Sequence, residues 1–365
     1  MKKILILNWG RRSASTLIAY QFIKALKKKF DVHHSISIQS DFFAETQKIN
    51  FKYFNVSTYK NIISFPFKTI LFYFFRYRII NYIKKNNINY VIYPMFHVWN
   101  ALIIKKLKKC NITNILCVHD SKLHPGEFSI YVHFALKYSI RQTDYAIAFS
   151  NEINNQLIKF ENFSSNKIFK IDLPSFTSIE KIGNIKKLNN QFMRVLFFGR
   201  IVDYKGLDIF LEAVIKIQNK INIEATIAGK GNINNYKKLI SKVKNIKIMN
   251  HWLSEKEIIN LFDKTNLCIL PYVESSQSGI VPYAFMTATP ILASNVGGLK
   301  EQISNYSNGI IAEPNSEEFS KCIVNLYQKK KLYFLLSKGA ISTFKEKYSF
   351  LNFEKNLSQI ISKIK

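Results

Sequence analysis

The sequence predicts an α/β protein built as two doubly wound parallel-sheet halves. Three observations carry this. Short apolar or β-branched runs alternate with helical patterns along the chain, as parallel strands covered on both faces require. A length of 365 residues exceeds one ordinary core. One polar stretch, Pro174 to Gln191, carries Gly183 with several Asn and Lys and interrupts the rhythm, which then restarts.

In the first half the expected strands are Ile4–Asn8, Val32–Ile38, Tyr90–Tyr93, Asn114–Val118, Tyr145–Phe149 and Ile168–Asp172. Helical stretches such as Ser13–Lys28 and Val98–Lys109 lie between them. In the second half the strands are Val195–Phe198, Ala225–Ala228, Ile246–Met249, Leu267–Leu270 and Ile291–Ala293. Glycines follow several of these runs: Gly10, Gly199 and Gly229. The tail from about Phe350 is helical with no strand. The expected division is a domain over 1–174, a linker over 175–191, a second domain over 192–349, and a helix over about 350–365 that packs back on the first.

No apolar run approaches the ~20 residues that span a bilayer; the longest, Thr69 to Phe75, stops at Arg76. Ile4 to Leu7 is too short for a signal peptide and reads as a strand. Cys110, Cys117, Cys268 and Cys322 form no CxxC pair. The expectation is a cytoplasmic protein with reduced thiols and no structural zinc. The net charge is +29, and its placement is uneven: +13 over residues 1–100 against −1 over 251–300. A basic first half attracts anionic surfaces. Within it, Phe65 to Tyr82 interleaves aromatic residues with Lys68, Arg76 and Arg78. That composition suits either a membrane interface or a helix with an aromatic inner face. No nucleic-acid module surrounds it, so nucleic acid is not an expected partner.

Three stretches carry candidate chemistry. In VLFFGRIVDYKG, residues 195–206, a strand ends at Gly199, Arg200 follows, and Lys205 precedes the amphipathic helix LDIFLEAVIKI. Two cations at a strand's carboxyl end, beside a helix N-terminus, suit a diphosphate. Around residues 271–301 a strand runs into Glu274, Ser275, Ser276, Gln277 and Ser278, then Gly279 opens a helix; the next strand ends at Ser294–Gly298, before Glu301. Glu274 suits sugar hydroxyls, and first-turn amides suit an anion or sugar oxygen. In CVHDSKLHPGE, residues 117–127, His119 and Asp120 leave a strand end, and His124, Pro125 and Gly126 make a turn before Glu127. A neutral imidazole there can hydrogen-bond a sugar hydroxyl. No metal-ligand cluster stands out, and no GxGxxG, GxxxxGK[ST] or DxD occurs.

These stretches in combination resemble the GT-B glycosyltransferases, in particular family 4, often described as glycosyl transferases group 1. GRIVDYKGLDIFLEA is similar to the family's GR-x4-KG block, and PYVESSQSGIVPYAFMTATPILASNVGGLKE to its donor-sugar block in a subgroup bearing SQSG. VHDSKLHPGE is similar to the first-domain HD loop of that subgroup. The resemblance implies two Rossmann-like domains facing across a cleft, the second holding a nucleotide-diphosphate sugar and the first the acceptor. It implies that Arg200 and Lys205 hold the diphosphate, that His119 contacts the donor sugar, and that Glu274 matches the first acid of an E-x7-E motif. It further implies Gly10, Asp120, Gly199, Gly229, Gln277, Ser278, Gly279, Tyr283 and Glu301 as substrate-binding positions. The pattern is broken at the second acid: Tyr283 stands there, and Glu274 is one residue out of register. Retention at the anomeric carbon is implied, with protein cations in place of a metal and no further cofactor. A lipid-linked saccharide acceptor for surface polysaccharide, met at the inner membrane face, is the expected partner. A catalytically degenerate subunit and a nucleotide-sugar epimerase of the same fold are the alternatives.

Overall fold

The computed structural model describes residues 1–11, 14–49, 52–61, 63–120, 130–161, 163–175, 177–178, 181–188 and 192–364. They divide into two compact units, one from 1–120, 130–172 and 350–364 and the other from 173–349.

The first unit holds β1 (Lys3–Asn8), β2 (Asp31–Ile36), β3 (Tyr90–Tyr93), β4 (Thr113–Val118), β5 (Tyr145–Ala148) and β6 (Ile168–Lys170). All pair in parallel in the order β2-β1-β3-β4-β5-β6. The chain steps from β1 to β2, then reverses past β1 to reach β3, so its switch point lies between β1 and β3. The central strands are mostly apolar and buried, with Ile4, Leu5, Ile6 and Leu7 of β1 all at 0% exposure, while β2 carries Asp31, His33, His34 and Ser35. The last helix, Phe350–Lys363, packs on Ala14–Leu26, with Phe22 and Phe353 edge-to-face at 5.2 Å and Lys28 paired to Glu354 at 2.9 Å.

The second unit holds β7 (Met193–Phe198), β8 (Ile223–Ala228), β9 (Ile246–Met249), β10 (Leu267–Leu270), β11 (Ile291–Ser294) and β12 (Gly309–Ala312). Its parallel order is β12-β11-β10-β7-β8-β9, the dinucleotide-binding order, with the reversal between β7 and β10. In such sheets ligands bind outside the carboxyl ends of the strands at that reversal. The helix Leu207–Ile217 buries Leu207, Phe210, Leu211, Ala213, Val214 and Ile217 against the sheet. Each fully buried Leu or Phe is worth roughly 1.5–3 kcal/mol, which fixes the turn that precedes the helix. β12 was not among the sequence expectations; its run Gly309–Ala312 is short, begins on a glycine and pairs only with β11 at the sheet edge.

Residues 173–175, 177–178 and 181–188, most of them in the stretch read as a linker, group with the second unit. The reason is local. Gly183 lies so close to Thr287 that an added Cβ would stand 2.9 Å from its Cα, and its N–H donates to the Met286 carbonyl at 2.8 Å. Lys186 Nζ donates to the carbonyls of Phe262 (2.6 Å) and Thr265 (2.7 Å) and to Thr289 Oγ1 (2.6 Å). Burial draws the pKa of that lysine down to about 7.

Candidate active site

The loops after β7 and β10 are built against each other at the switch point. Gly199 ends β7 with φ +128°, and its N–H donates to the Ala228 carbonyl at 2.9 Å. Arg200 leaves that turn exposed to solvent. A tight helical turn, Asp203–Lys205, follows, and Gly206 closes it at φ +67°. Gly206 abuts the Pro271 carbonyl after β10, where any Cβ would collide. The Val273 N–H donates to the Tyr204 carbonyl at 2.9 Å and ties the two loops together.

This clamp brings two cations to one buried aromatic pair. Tyr204 and Tyr272 meet edge-to-face at 6.4 Å. Arg200 Nη2 donates to Tyr204 Oη at 3.4 Å, and Lys205 Nζ stands 3.7 Å above the Tyr272 ring. A ring face attracts an ammonium without cancelling its charge. Burial pushes the Tyr272 phenol well above its ordinary value, so it stays protonated; its Oη lies 3.4 Å from Ser278 Oγ. Neither tyrosine stood out in the sequence, because a tyrosine in a βα loop has no pattern that separates packing from positioning.

The loop after β10 is held from the other side. Gln302 clamps Ser278 twice: Ser278 N–H donates to Oε1 at 2.7 Å, and Nε2 donates to the Ser278 carbonyl at 3.1 Å. Gly298 N–H donates to the Ser275 carbonyl at 2.9 Å, and Ser275 Oγ donates to the Gln277 carbonyl at 3.0 Å. The amides of Ile280 and Val281 also bond to Ser278, at 3.4 and 3.3 Å. Two of the first amides of the helix behind Gly279, Ile280–Met286, are thus bonded within the loop. Glu274 is exposed on the same loop, and Glu301 is half-buried at the helix Leu299–Gln302. Tyr283, the tyrosine at the second-acid position, lies on the helix Ile280–Met286. It is buried, with its ring stacked on Phe262 at 6.3 Å and an interplanar angle of 12°. Gly229 sits behind Gly199 at φ +135°, against its carbonyl.

In the first unit, Gly10 follows β1, tight against Ser15, whose Oγ donates to Asn8 Oδ1 at 3.3 Å. His119 follows β4. Its Nε2 donates to the Pro94 carbonyl at 3.0 Å, which leaves Nδ1 as the acceptor nitrogen, and its ring lies 4.4 Å from Phe149. Burial lowers its pKa, partly offset by the Pro94 bond and by Asp120, so the ring is neutral near pH 7. His124 to Glu127 lie outside the described residues. Sequence reasoning passed over His97, which follows β3 at the switch point. Its Nδ1 accepts from the Trp99 N–H at 3.2 Å, Nε2 lies 3.5 Å from Tyr59 Oη, and burial with Arg11 nearby pulls its pKa down to about 3.

Residues 193–329, which include Arg200, Lys205 and the loop after β10, match the family model described as Glycosyl transferases group 1. An uncharacterized glycosyltransferase of Methanocaldococcus jannaschii is 25% identical over 251 residues, 66% of each chain. The chain spans from 33% to 66% of the length of the first curated relatives it matches. The structure of Anabaena Alr3699/HepE in complex with UDP-glucose superposes with a TM-score of 0.76 at 14% identity over 100% of both chains. The lipopolysaccharide outer core galactosyltransferase WaaB superposes at 0.69 and 15% identity, again over 100% of both. The fold is GT-B, two Rossmann-like units. Residues 193–329 are thus similar to the group 1 glycosyl transferases, and the matched relatives include an uncharacterized glycosyltransferase and a mouse mannosyltransferase.

Proposed function

We propose that this chain is a retaining glycosyltransferase that moves a sugar from a nucleotide-diphosphate donor to a hydroxyl of a lipid-linked saccharide, in the assembly of a surface polysaccharide. The observation that carries the donor half is the convergence of Arg200 and Lys205 on Tyr204 and Tyr272 at the reversal between β7 and β10. When the bond from the anomeric carbon to the diphosphate oxygen breaks, the electron pair leaves with the diphosphate. Cations already held in place stabilise that charge without reorganising. In this reading they do the work a divalent metal does elsewhere. Uridine is the favoured base, since Alr3699/HepE was crystallised with UDP-glucose. His119 takes the role the family resemblance gives it, a neutral contact to the donor sugar, with its Nδ1 as acceptor. Glu274, exposed on the loop after β10, is assigned to sugar hydroxyls, and Glu301 stands on the neighbouring helix.

The test is thermal shift against UDP, GDP, ADP, CMP and dTDP sugars, followed by product analysis with the donor that binds. A ligand that binds only the native state raises the melting point. The reading expects one donor class to stabilise the protein, and transfer with the donor's anomeric configuration kept. Binding without turnover would favour the degenerate subunit, and inversion of the released sugar would overturn retention.

A further inference from the structure

The first unit carries a surface that donor binding does not use. The helices Phe65–Lys85, Asn100–Lys109 and Ile130–Gln142 link β2 to β3, β3 to β4 and β4 to β5. Right-handed crossovers that advance in one direction place all three on one face of the sheet. They hold five, four and two Lys or Arg respectively and no Asp or Glu. On the first helix Phe67, Ile70, Phe74 and Tyr77, spaced to fall along one stripe, point into solvent, with Phe67 63% and Phe74 69% exposed. The opposite side, with Phe72, Ile79 and Ile83, packs into the core. On the third helix Tyr131 is 83% and Phe134 63% exposed. The middle helix lies between these stripes with Lys105, Lys108 and Lys109 exposed.

The face is braced. Arg76 turns inward and donates to the Leu102 carbonyl at 3.0 Å, joining the first helix to the second. Lys106 Nζ donates to Tyr77 Oη at 2.6 Å and lies 4.3 Å above that ring. Beside the first helix, Lys68 and Arg78 line a cavity of about 240 Å³ with Phe54, Val56, Leu71 and Phe75.

We propose that these three helices dock the protein on an anionic lipid bilayer, with the aromatic stripes at headgroup depth and the lysines against lipid phosphates. This deepens the reading above and rests on it for the reason such a surface exists: a lipid-linked acceptor. Charge complementarity selects the occupant. Asp144 pairs with Lys108 at 3.2 Å and Glu161 with Arg141 at 3.3 Å, but the three helices themselves hold eleven cations, so a second copy would set one net-basic face against another, which like-charge repulsion disfavours. A nucleic acid would satisfy the lysines but not exposed Phe67, Ile70 and Phe74, whose apolar area finds its match at the acyl boundary.

Flotation with phosphatidylglycerol/phosphatidylcholine vesicles tests this, with pure phosphatidylcholine as control. Wild-type protein is expected to float with the anionic vesicles at low salt and to be released as salt rises. The Phe67→Ser/Phe74→Ser variant is expected to lose flotation. The Lys105→Gln/Lys108→Gln/Lys109→Gln variant is expected to partition roughly a hundredfold more weakly, three surface lysines being removed. Neither variant should change the melting point or the shift produced by the donor. Failure of wild-type protein to float, flotation unchanged in both variants, or self-association without vesicles that Phe67→Ser/Phe74→Ser abolishes would each overturn the proposal. The donor-induced thermal shift separates the two readings: its loss refutes the donor site and leaves the vesicle result standing, and the converse holds.

Discussion

Lys205→Met removes an ammonium while keeping most of the apolar stem. The contact with Tyr272 sets the scale of one part of its effect on stability. Nζ sits 3.7 Å above the Tyr272 ring at a half-buried position, and such a contact is worth about 0.5–1 kcal/mol. For a unit of this size that corresponds to a fall in melting point of about 1–4 °C. The effect on turnover is of another order. Losing one preorganised group aimed at developing charge costs about 10²–10³ in kcat, roughly 2.7–4 kcal/mol. The assay is release of nucleoside diphosphate at saturating donor, run beside a melting curve. Lys205→Arg keeps the charge and is expected to lose less than Lys205→Met. Turnover within tenfold of wild type in Lys205→Met, with the fold intact, would refute the assignment of this cation to the leaving group.

Gly206→Ala forces a left-handed φ on alanine and drives its Cβ into the Pro271 carbonyl, so unfolding is expected at least about 1 kcal/mol easier, with weakened donor binding as the two loops part; denaturant melts and a donor titration check both. Tyr283→Phe is expected to leave the donor Kd within about twofold, an estimate that follows from the ring being packed on Phe262; a tenfold loss by calorimetry would return Tyr283 to the ribose. Lys186→Met tests a linkage whose sign is set by a folded pKa near 7 and an ordinary value near 10.5. Below pH 7 both states hold the proton and the full cost of the buried ammonium is present. Between those values the unfolded chain keeps a proton that the folded one has released, so stability from this group rises with pH. The stability of wild type relative to Lys186→Met should climb from pH 7 to 10; a flat difference would contradict it.

The sheets were legible because their central strands are buried on both faces and read as unbroken apolar runs, as in Leu267–Leu270. Strand order was not, since nothing local in Val195–Phe198 reveals that it pairs with Leu267–Leu270. Gly199 and Gly229 marked the turns, and their positive φ values show why glycine stands there. Arg200 and Lys205 were legible as cations at a strand's end. Tyr204 and Tyr272, which gather them, were not, and neither was Gln302, whose two bonds to Ser278 cross 24 residues of sequence. The aromatic run after Phe65 fitted two readings by composition alone. Exposure splits it: Phe72 faces the core, while Phe67 and Phe74 face solvent.

The central claim is that two side chains of the second unit grip a diphosphate. Calorimetric binding of UDP beside uridine, in wild type and in Arg200→Ala/Lys205→Ala, measures it directly. The account predicts that UDP binds wild type at least about a hundredfold more tightly than uridine, as two charge-assisted contacts of roughly 1.5–3 kcal/mol each require, and that the double variant loses most of this advantage. An advantage for the diphosphate that survives the loss of both cations would contradict it.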